Sequence, residues 1–314
     1  MPAVTVSVII PAYGVSRYIG DAVRSVLEQT YTDYEVIVID QDRSAAMTAA
    51  LAPFSGRIVH LRKEPTNVSA ARNYGIRHAR GRYIALLDGD DCWYPNFLER
   101  LVPMLESPTE PDVVYPNMVF FGRRSMEGEL LQDLYPSKLP VDFLAILSRE
   151  SLVSNTAVMH AKILQKVDGY DESLSTCEDF DLWLRIAAAG GRFEFTNEPL
   201  ARYRQRPDSL SGNSIQMHSA SITVCAKYRK HPDPAVRQTA EAQMKAIAAG
   251  MELETAKALV LARSYSNARA LLRSANRYYG RVKLHAAYSL LLVAPSLVRR
   301  TIVHSNRRLR AEYS

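Results

Sequence analysis

Blocks of apolar residues alternate with amphipathic stretches through the first 211 residues of the chain. Val4-Thr5-Val6-Ser7-Val8-Ile9-Ile10 is short, β-branched and apolar, the pattern of a buried strand, and Pro11 stops it. Ser16 predicts the cap of a helix running to about Gln29, with Ile19, Val23, Val26 and Leu27 on one face. A second buried strand is predicted over Tyr34 to Ile39, a short third over Arg57 to Leu61 and a fourth over Arg82 to Leu87, with a helix over Ser69 to Ala79 between the last two. Such alternation implies an α/β fold, a mostly parallel sheet with helices on both faces. Ligands of such sheets bind outside the carboxyl ends of the strands, where Asp40 and Asp88 both fall. Further along, helices are predicted over Asn96 to Leu105, Pro140 to Leu147 and Glu178 to Ala189. Strands are predicted over Val113 to Phe121, Arg192 to Phe195 and Leu200 to Arg204.

After Ser211 strand-like runs become scarce, and Ala, Arg and Leu recur near helical period. The expected division is therefore an α/β domain over residues 1–211 and a basic helical region over 212–314. Turn signals fall at His231-Pro232-Asp233-Pro234 and Gly280, and Ala256 to Tyr279 reads as a helical hairpin.

Charge sharpens this division. Residues 211–314 hold 17 Lys and Arg against 5 Asp and Glu, whereas the first 210 residues are net acidic. The tail is expected to meet something anionic, a membrane surface or a nucleic acid. Arg281, Lys283, Arg299, Arg300, Arg307, Arg308 and Arg310 flank the apolar run Leu284 to Val298, which suits a peripheral membrane contact. That run has fifteen residues and contains Pro295, short of the roughly 20 needed to span a bilayer. No nucleic-acid motif accompanies the charge, so no nucleic-acid partner is expected. The three cysteines, Cys92, Cys177 and Cys225, are far apart and read as reduced thiols. With no signal-peptide pattern at the start, the expected location is cytoplasmic.

The chemistry concentrates in two acidic segments. Tyr83-Ile84-Ala85-Leu86-Leu87-Asp88-Gly89-Asp90-Asp91 delivers three carboxylates within four residues at the end of a buried strand. Close carboxylates repel unless a cation is present, and hard oxygen ligands suit Mg²⁺ or Mn²⁺. Glu178-Asp179 opens a helix whose apolar face is Phe180, Leu182, Trp183, Leu184 and Ile186. Acids there also complement the helix dipole, an effect of roughly 0.3–1 kcal/mol.

The order and spacing of these segments resemble family 2 glycosyltransferases, which have the GT-A fold. The resemblance rests on Val6 to Tyr13, Ser25 to Tyr31, Glu35 to Asp40, Ser69-Ala70-Ala71-Arg72-Asn73-Tyr74-Gly75, the acidic cluster, Cys177 to Arg185 and Tyr203-Arg204. It implies an inverting transfer from a nucleotide-sugar, a uridine diphosphate donor foremost, to a hydroxyl of a glycan or lipid-linked acceptor in bacterial cell-envelope polysaccharide assembly. It places Pro11, Ala12 and Tyr13 in the nucleotide pocket, Asp40 on the base, and Arg72 near the diphosphate. Asp88 and Asp90 match the family's D-x-D acids, with Asp91 as a further acid sharing the metal. Asp179 matches the general base and Glu178 its partner in the E-D motif, while Trp93 is placed either against a sugar ring or in the core.

Three departures from the family pattern stand out. Gln41-Asp42-Arg43-Ser44 replaces the usual Asp-Gly-Ser after Asp40, and Thr66-Asn67-Val68 shortens a glycine loop. Arg206 stands where a metal-binding histidine often follows Tyr-Arg; arginine does not ligate a cation but can bind a diphosphate. A catalytically inactive nucleotide-sugar-binding protein of the same fold is the alternative reading.

Overall fold

The computed structural model describes residues 4–209 and 212–312. The chain divides into two compact units, residues 1–122 with 126–205, and residues 123–125 with 206–314.

The first unit is built on one eight-stranded sheet in the order β3-β2-β1-β4-β7-β6-β8-β5. Its strands are β1 (Val6–Ala12), β2 (Tyr34–Asp40), β3 (Val59–Arg62), β4 (Tyr83–Leu86), β5 (Cys92–Trp93), β6 (Val113–Phe121), β7 (Val158–His160) and β8 (Phe193–Arg204). In the parallel half, β3-β2-β1-β4, the strands β1, β2 and β4 are the buried apolar runs read in the sequence, and β3 at the edge is partly exposed. Ala12 pairs with Asp40 and Ile9 with Leu86, so the carboxyl ends of β1, β2 and β4 share one edge. The order reverses on either side of β1, the position where such sheets open a ligand crevice. Beyond β4 the pairing turns antiparallel through β7 and then parallel again between β6 and β8.

Helix Val68–His78 lies close against β1 and β2 because Gly75 is on its inner face. A Cβ there would meet Ile39 Cδ1 and Ile9 Cγ2, both at 2.7 Å. Gly75→Ala is expected to destabilise the fold by about 1–3 kcal/mol, as overpacking does, read as a lower urea midpoint at unchanged slope.

Three expectations are corrected. Ser16 does not cap the first helix, which runs Ile19–Leu27 behind Tyr18; the segment before it closes as a turn on the Val15 carbonyl. Arg192 to Phe195 and Leu200 to Arg204 form one strand, β8, because an irregularity in its register with β6 absorbs the polar middle. The helix predicted from Pro140 is shorter, Phe143–Leu147, and starts where Asp142 accepts from the Ala145 N–H.

The second unit consists of helices Ser214–Ala226, Pro234–Leu261, Tyr265–Tyr279, Val282–Val293 and Pro295–Ala311. Asp233 caps the second of these, and Gly280 ends the third in the left-handed conformation that glycine tolerates. Among the described residues no helix is long and apolar enough to cross a membrane.

Candidate active site

β4 runs straight into the acidic turn. The Leu87 N–H still donates to the Ile9 carbonyl, and Asp88 follows at the sheet edge. Gly89 passes so close beneath the end of β1 that a Cβ would sit 2.9 Å from the Pro11 carbonyl oxygen. The Asp91 N–H closes the turn on the Asp88 carbonyl at 3.0 Å. Asp88 and Asp90 remain partly exposed, whereas Asp91 is 2% exposed. The Asp91 carboxylate accepts from the Arg204 N–H at 2.8 Å, and Arg204 Nε donates to the Asp90 carbonyl at 2.7 Å. The acidic turn is thus tied to the end of β8. Burial, then the charges of Asp90 and Asp88, push the Asp91 carboxyl well above the usual range. Among the described residues no group of three or more His, Cys, Asp or Glu side chains is arranged to hold a metal. Asp91 was expected to share one; its carboxylate instead turns inward and anchors the turn, leaving Asp88 and Asp90 at the edge.

Arg72 is the centre of the site. It rises from helix Val68–His78, whose first turn is capped by Asn67 accepting from the Ala70 N–H. Although 3% exposed, it donates from Nη2 to Asp88 Oδ1 at 2.6 Å and from Nη1 to Glu178 Oε1 at 2.5 Å. The Tyr170 ring lies 5.3 Å from its guanidinium carbon. Burial works against its charge, but Asp88, Tyr170 and Glu178 together hold it protonated. Arg72 was expected near the diphosphate; here its terminal nitrogens serve two carboxylates of the protein. Its neighbour Asn73 clamps the loop before the next helix, accepting from the Tyr170 N–H and donating to the Tyr170 carbonyl, each at 2.8 Å.

Helix Glu178–Ala188 presents the second pair of acids. Phe180, Leu182, Trp183, Leu184 and Ile186 are buried, so the first turn is fixed on the core. Cys177, just before it, has φ 57°, a left-handed conformation unusual for a residue with a Cβ. Glu178 is buried against Arg72, while Asp179 is half-buried, its Oδ1 accepting from the Phe180 N–H at 2.7 Å. Burial and then the Glu178 charge push the Asp179 carboxyl up to about 6, against the Phe180 N–H, Arg72 and Arg149. The Arg149 guanidinium lies over the Phe180 ring at 3.7 Å.

The expected nucleotide side is more closed than the sequence suggested. Pro11 and Ala12 are buried at the end of β1, and Tyr13 beyond them is 63% exposed. Asp40 is fully buried. Its Oδ1 accepts from the Arg43 N–H at 2.8 Å, and its Oδ2 lies 3.1 Å from His60 Nε2. The expected contact to a base is not available while Gln41 to Ser44 folds over it, with Arg43 at φ 54° and paired to Glu64. Of the two positions expected for Trp93, it takes the core: it is 4% exposed and stacked on Phe97 with centroids 3.9 Å apart. Arg206 falls in the second unit, where its guanidinium is 3.7 Å from Asp208.

Three residues of the site had no role assigned from sequence: Asn73, Arg149 and Arg204. Arg204 lay in a quoted motif, but its partners are more than a hundred positions away.

Residues 7–161 match the sequence profile of "Glycosyl transferase family 2". The chain is 31% identical over 230 residues to the Escherichia coli UDP-Glc:alpha-D-GlcNAc-diphosphoundecaprenol beta-1,3-glucosyltransferase WfgD, covering 72% of this chain and 87% of that protein. The chain spans 27% to 63% of the length of several Rickettsia glycosyltransferases that it matches. S. aureus TarS residues 1–349 share the fold at a TM-score of 0.62 and 16% identity, over 97% of this chain and 91% of that one. The mannosyltransferase PcManGT of Pyrobaculum calidifontis, in complex with GDP-Man and Mn²⁺, does so at 0.60 and 18% identity, over 96% of this chain and 86% of that one. The α/β sheet is accordingly the GT-A fold, and the chain belongs to glycosyl transferase family 2.

Proposed function

We propose that the chain is an active inverting glycosyltransferase that moves a sugar from a nucleotide-sugar to a hydroxyl acceptor. One observation carries this reading: the buried Arg72 joins Asp88 at the strand edge to Glu178, which adjoins Asp179. One acid of the edge suited to a diphosphate-bound cation, and the neighbour of an acid suited to an incoming hydroxyl, are thereby held on one buried guanidinium.

Asp179 is the general base in this proposal. With its pKa pushed up to about 6, it is ionised at neutral pH yet basic enough to take a proton. The acceptor oxygen attacks C1 of the sugar as its proton passes to Asp179, and the bond from C1 to the diphosphate oxygen breaks with its electron pair on the leaving group. One displacement inverts the anomeric centre.

The donor set fits a divalent cation. Magnesium sites of this kind use one or two carboxylates and take the rest from substrate phosphates and water, which Asp88 and Asp90 satisfy without a three-residue cage. After burial, the charges of Asp90 and Asp88 raise the Asp91 pKa, so the three carboxylates crowd one edge. Bound there, Mg²⁺ or Mn²⁺ would supply Lewis-acid neutralisation of the diphosphate. The Mn²⁺ in the PcManGT complex supports the choice.

The name of WfgD favours a UDP-hexose donor and an acceptor on a lipid diphosphate. Ordering of the donor then requires the segment Gln41 to Ser44 to open so that Asp40 reaches the base. The three free buried cysteines favour a reducing compartment, and we place the reaction in the cytoplasm.

A panel of nucleotide-sugars with Mn²⁺, read by thermal shift and by release of nucleotide, tests the proposal. The true donor at a hundred times its Kd is expected to stabilise the protein by about 2.7 kcal/mol, raising Tm by about 5 °C or more. EDTA is expected to abolish turnover and most of the shift. Shift without turnover on any acceptor would favour an inactive binding protein, and no shift with any donor would overturn both readings.

A further inference from the structure

Helix Val282–Val293 in the second unit is apolar on two opposite faces. At about 100° per residue, Leu284, Ala287 and Leu291 share one side. Leu291 is buried there and Leu284 and Ala287 pack beside it against the core of the helices from Pro234 and Tyr265. Val282 and Val293 lie on the other side and are 84% and 81% exposed. Leu292 at 54% and, past Pro295, Leu297 at 52% extend this apolar surface. Its inner face is covered by the core, and an apolar outer face of this kind calls for a covering partner as well.

The charge around that face says what the partner is. Arg281 and Lys283 are exposed and flank Val282, one on each side, at about 100° of helical rotation. Arg300 is exposed beyond Leu297. Between Arg263 and Ala311 the sequence holds eleven Lys and Arg and no Asp or Glu. The side chains of Arg307, Arg308 and Arg310 lie outside the described residues. A second copy of the chain would bring one basic face against another, since a two-fold interface pairs a surface with itself. Nucleic acid would satisfy the cations and leave the valines and leucines in water or against phosphate. An anionic bilayer satisfies both: apolar side chains enter the acyl boundary while long basic side chains reach the headgroups.

We propose that the outer face of helix Val282–Val293, with Leu297, seats this protein on an anionic lipid surface, with the helix in the membrane plane. The inference is independent of the catalytic reading, because it is measured without turnover.

The test is sedimentation of the full chain with vesicles of phosphatidylglycerol and phosphatidylcholine, against vesicles of phosphatidylcholine alone. Binding is expected to the anionic vesicles, at least tenfold stronger than to the neutral ones, and to weaken as salt rises. Val282→Asp with Val293→Asp, two exposed positions whose exchange leaves the core untouched, is expected to lower binding tenfold or more while far-UV spectrum and Tm stay unchanged. Replacing Arg281, Lys283 and Arg300 by Gln is expected to lower it and flatten the salt dependence. Equal binding to both vesicles, or vesicle binding that the double variant leaves intact, overturns the proposal. So does a dimer that the double variant dissolves in the absence of vesicle binding, or tight duplex DNA binding that it leaves unchanged while vesicles go unbound.

Discussion

Asp179→Asn is expected to lower kcat by about 10²–10⁴-fold while making the protein more stable at neutral pH. The rate loss follows from removing the group that takes the acceptor proton; asparagine keeps an oxygen for the Phe180 N–H, so the helix start survives. The stability gain follows from linkage. The folded carboxyl has its pKa pushed up to about 6, against about 3.9 in an unfolded chain. Between those values the folded state binds more protons, so stability rises as pH falls through 6 toward 4, and ionised Asp179 costs stability above 6. Partial exposure reduces that cost to about 1–2 kcal/mol, which the variant recovers. Urea melts at pH 7.5 and pH 5 check the sign: the variant gains at the higher pH and little at the lower. In the wild type, log kcat/KM is expected to fall with unit slope below about pH 6. Full activity in the variant would remove Asp179 from the mechanism.

Arg72→Met should produce the largest combined loss. It leaves Asp88 and Glu178 without their shared cation in a buried setting, which costs about 3–5 kcal/mol for a pair broken on one side. Activity is expected to fall by about 10²-fold or more. Lysine is a poor substitute because one ammonium cannot span two carboxylates as a planar fork does. The pH profile separates a positioning role from a purely structural one. Arg72 holds the Asp179 pKa down and Glu178 holds it up. The acid limb should therefore move to higher pH in Arg72→Met and to lower pH in Glu178→Gln. Combining Arg72→Met with Glu178→Gln should recover part of the stability, a coupling that a double-mutant cycle measures. If the limb stayed in place in both single variants, Arg72 would be only a structural brace.

These outcomes matter because the site is assembled by one side chain whose protein partners the sequence did not show. Arg72 stands at the centre of Ser-Ala-Ala-Arg-Asn-Tyr-Gly, and its residue type suggested diphosphate. Its partners lie 16 and 106 positions away. No local periodicity reports a contact over that separation. The same reason explains Asp91, which reads as one acid of three and is turned inward by a backbone N–H 113 residues on. It also explains Asp40, closed in by His60 from the neighbouring strand and by the unusual Gln41 to Ser44 segment.

Burial and periodicity are local properties, and the chain displays them locally. The strands β1, β2 and β4, the helix from Val68 and the helix from Glu178 were legible because each buries a continuous apolar run or a single apolar face. Asp88 and Asp179 stood out as candidate acids because each sits where such an element starts or stops. The short strands β5 and β7 carry too few residues to set a period, and the antiparallel turn of the sheet beyond β4 depends on which edges meet. The long elements, the two acidic segments and the basic tail were set out in the sequence, since propensity, patterning and charge need no partner. Only the tertiary structure decided which carboxylates face outward, which are spent on the fold, and which cation joins them, because charges interact through space and not along the chain.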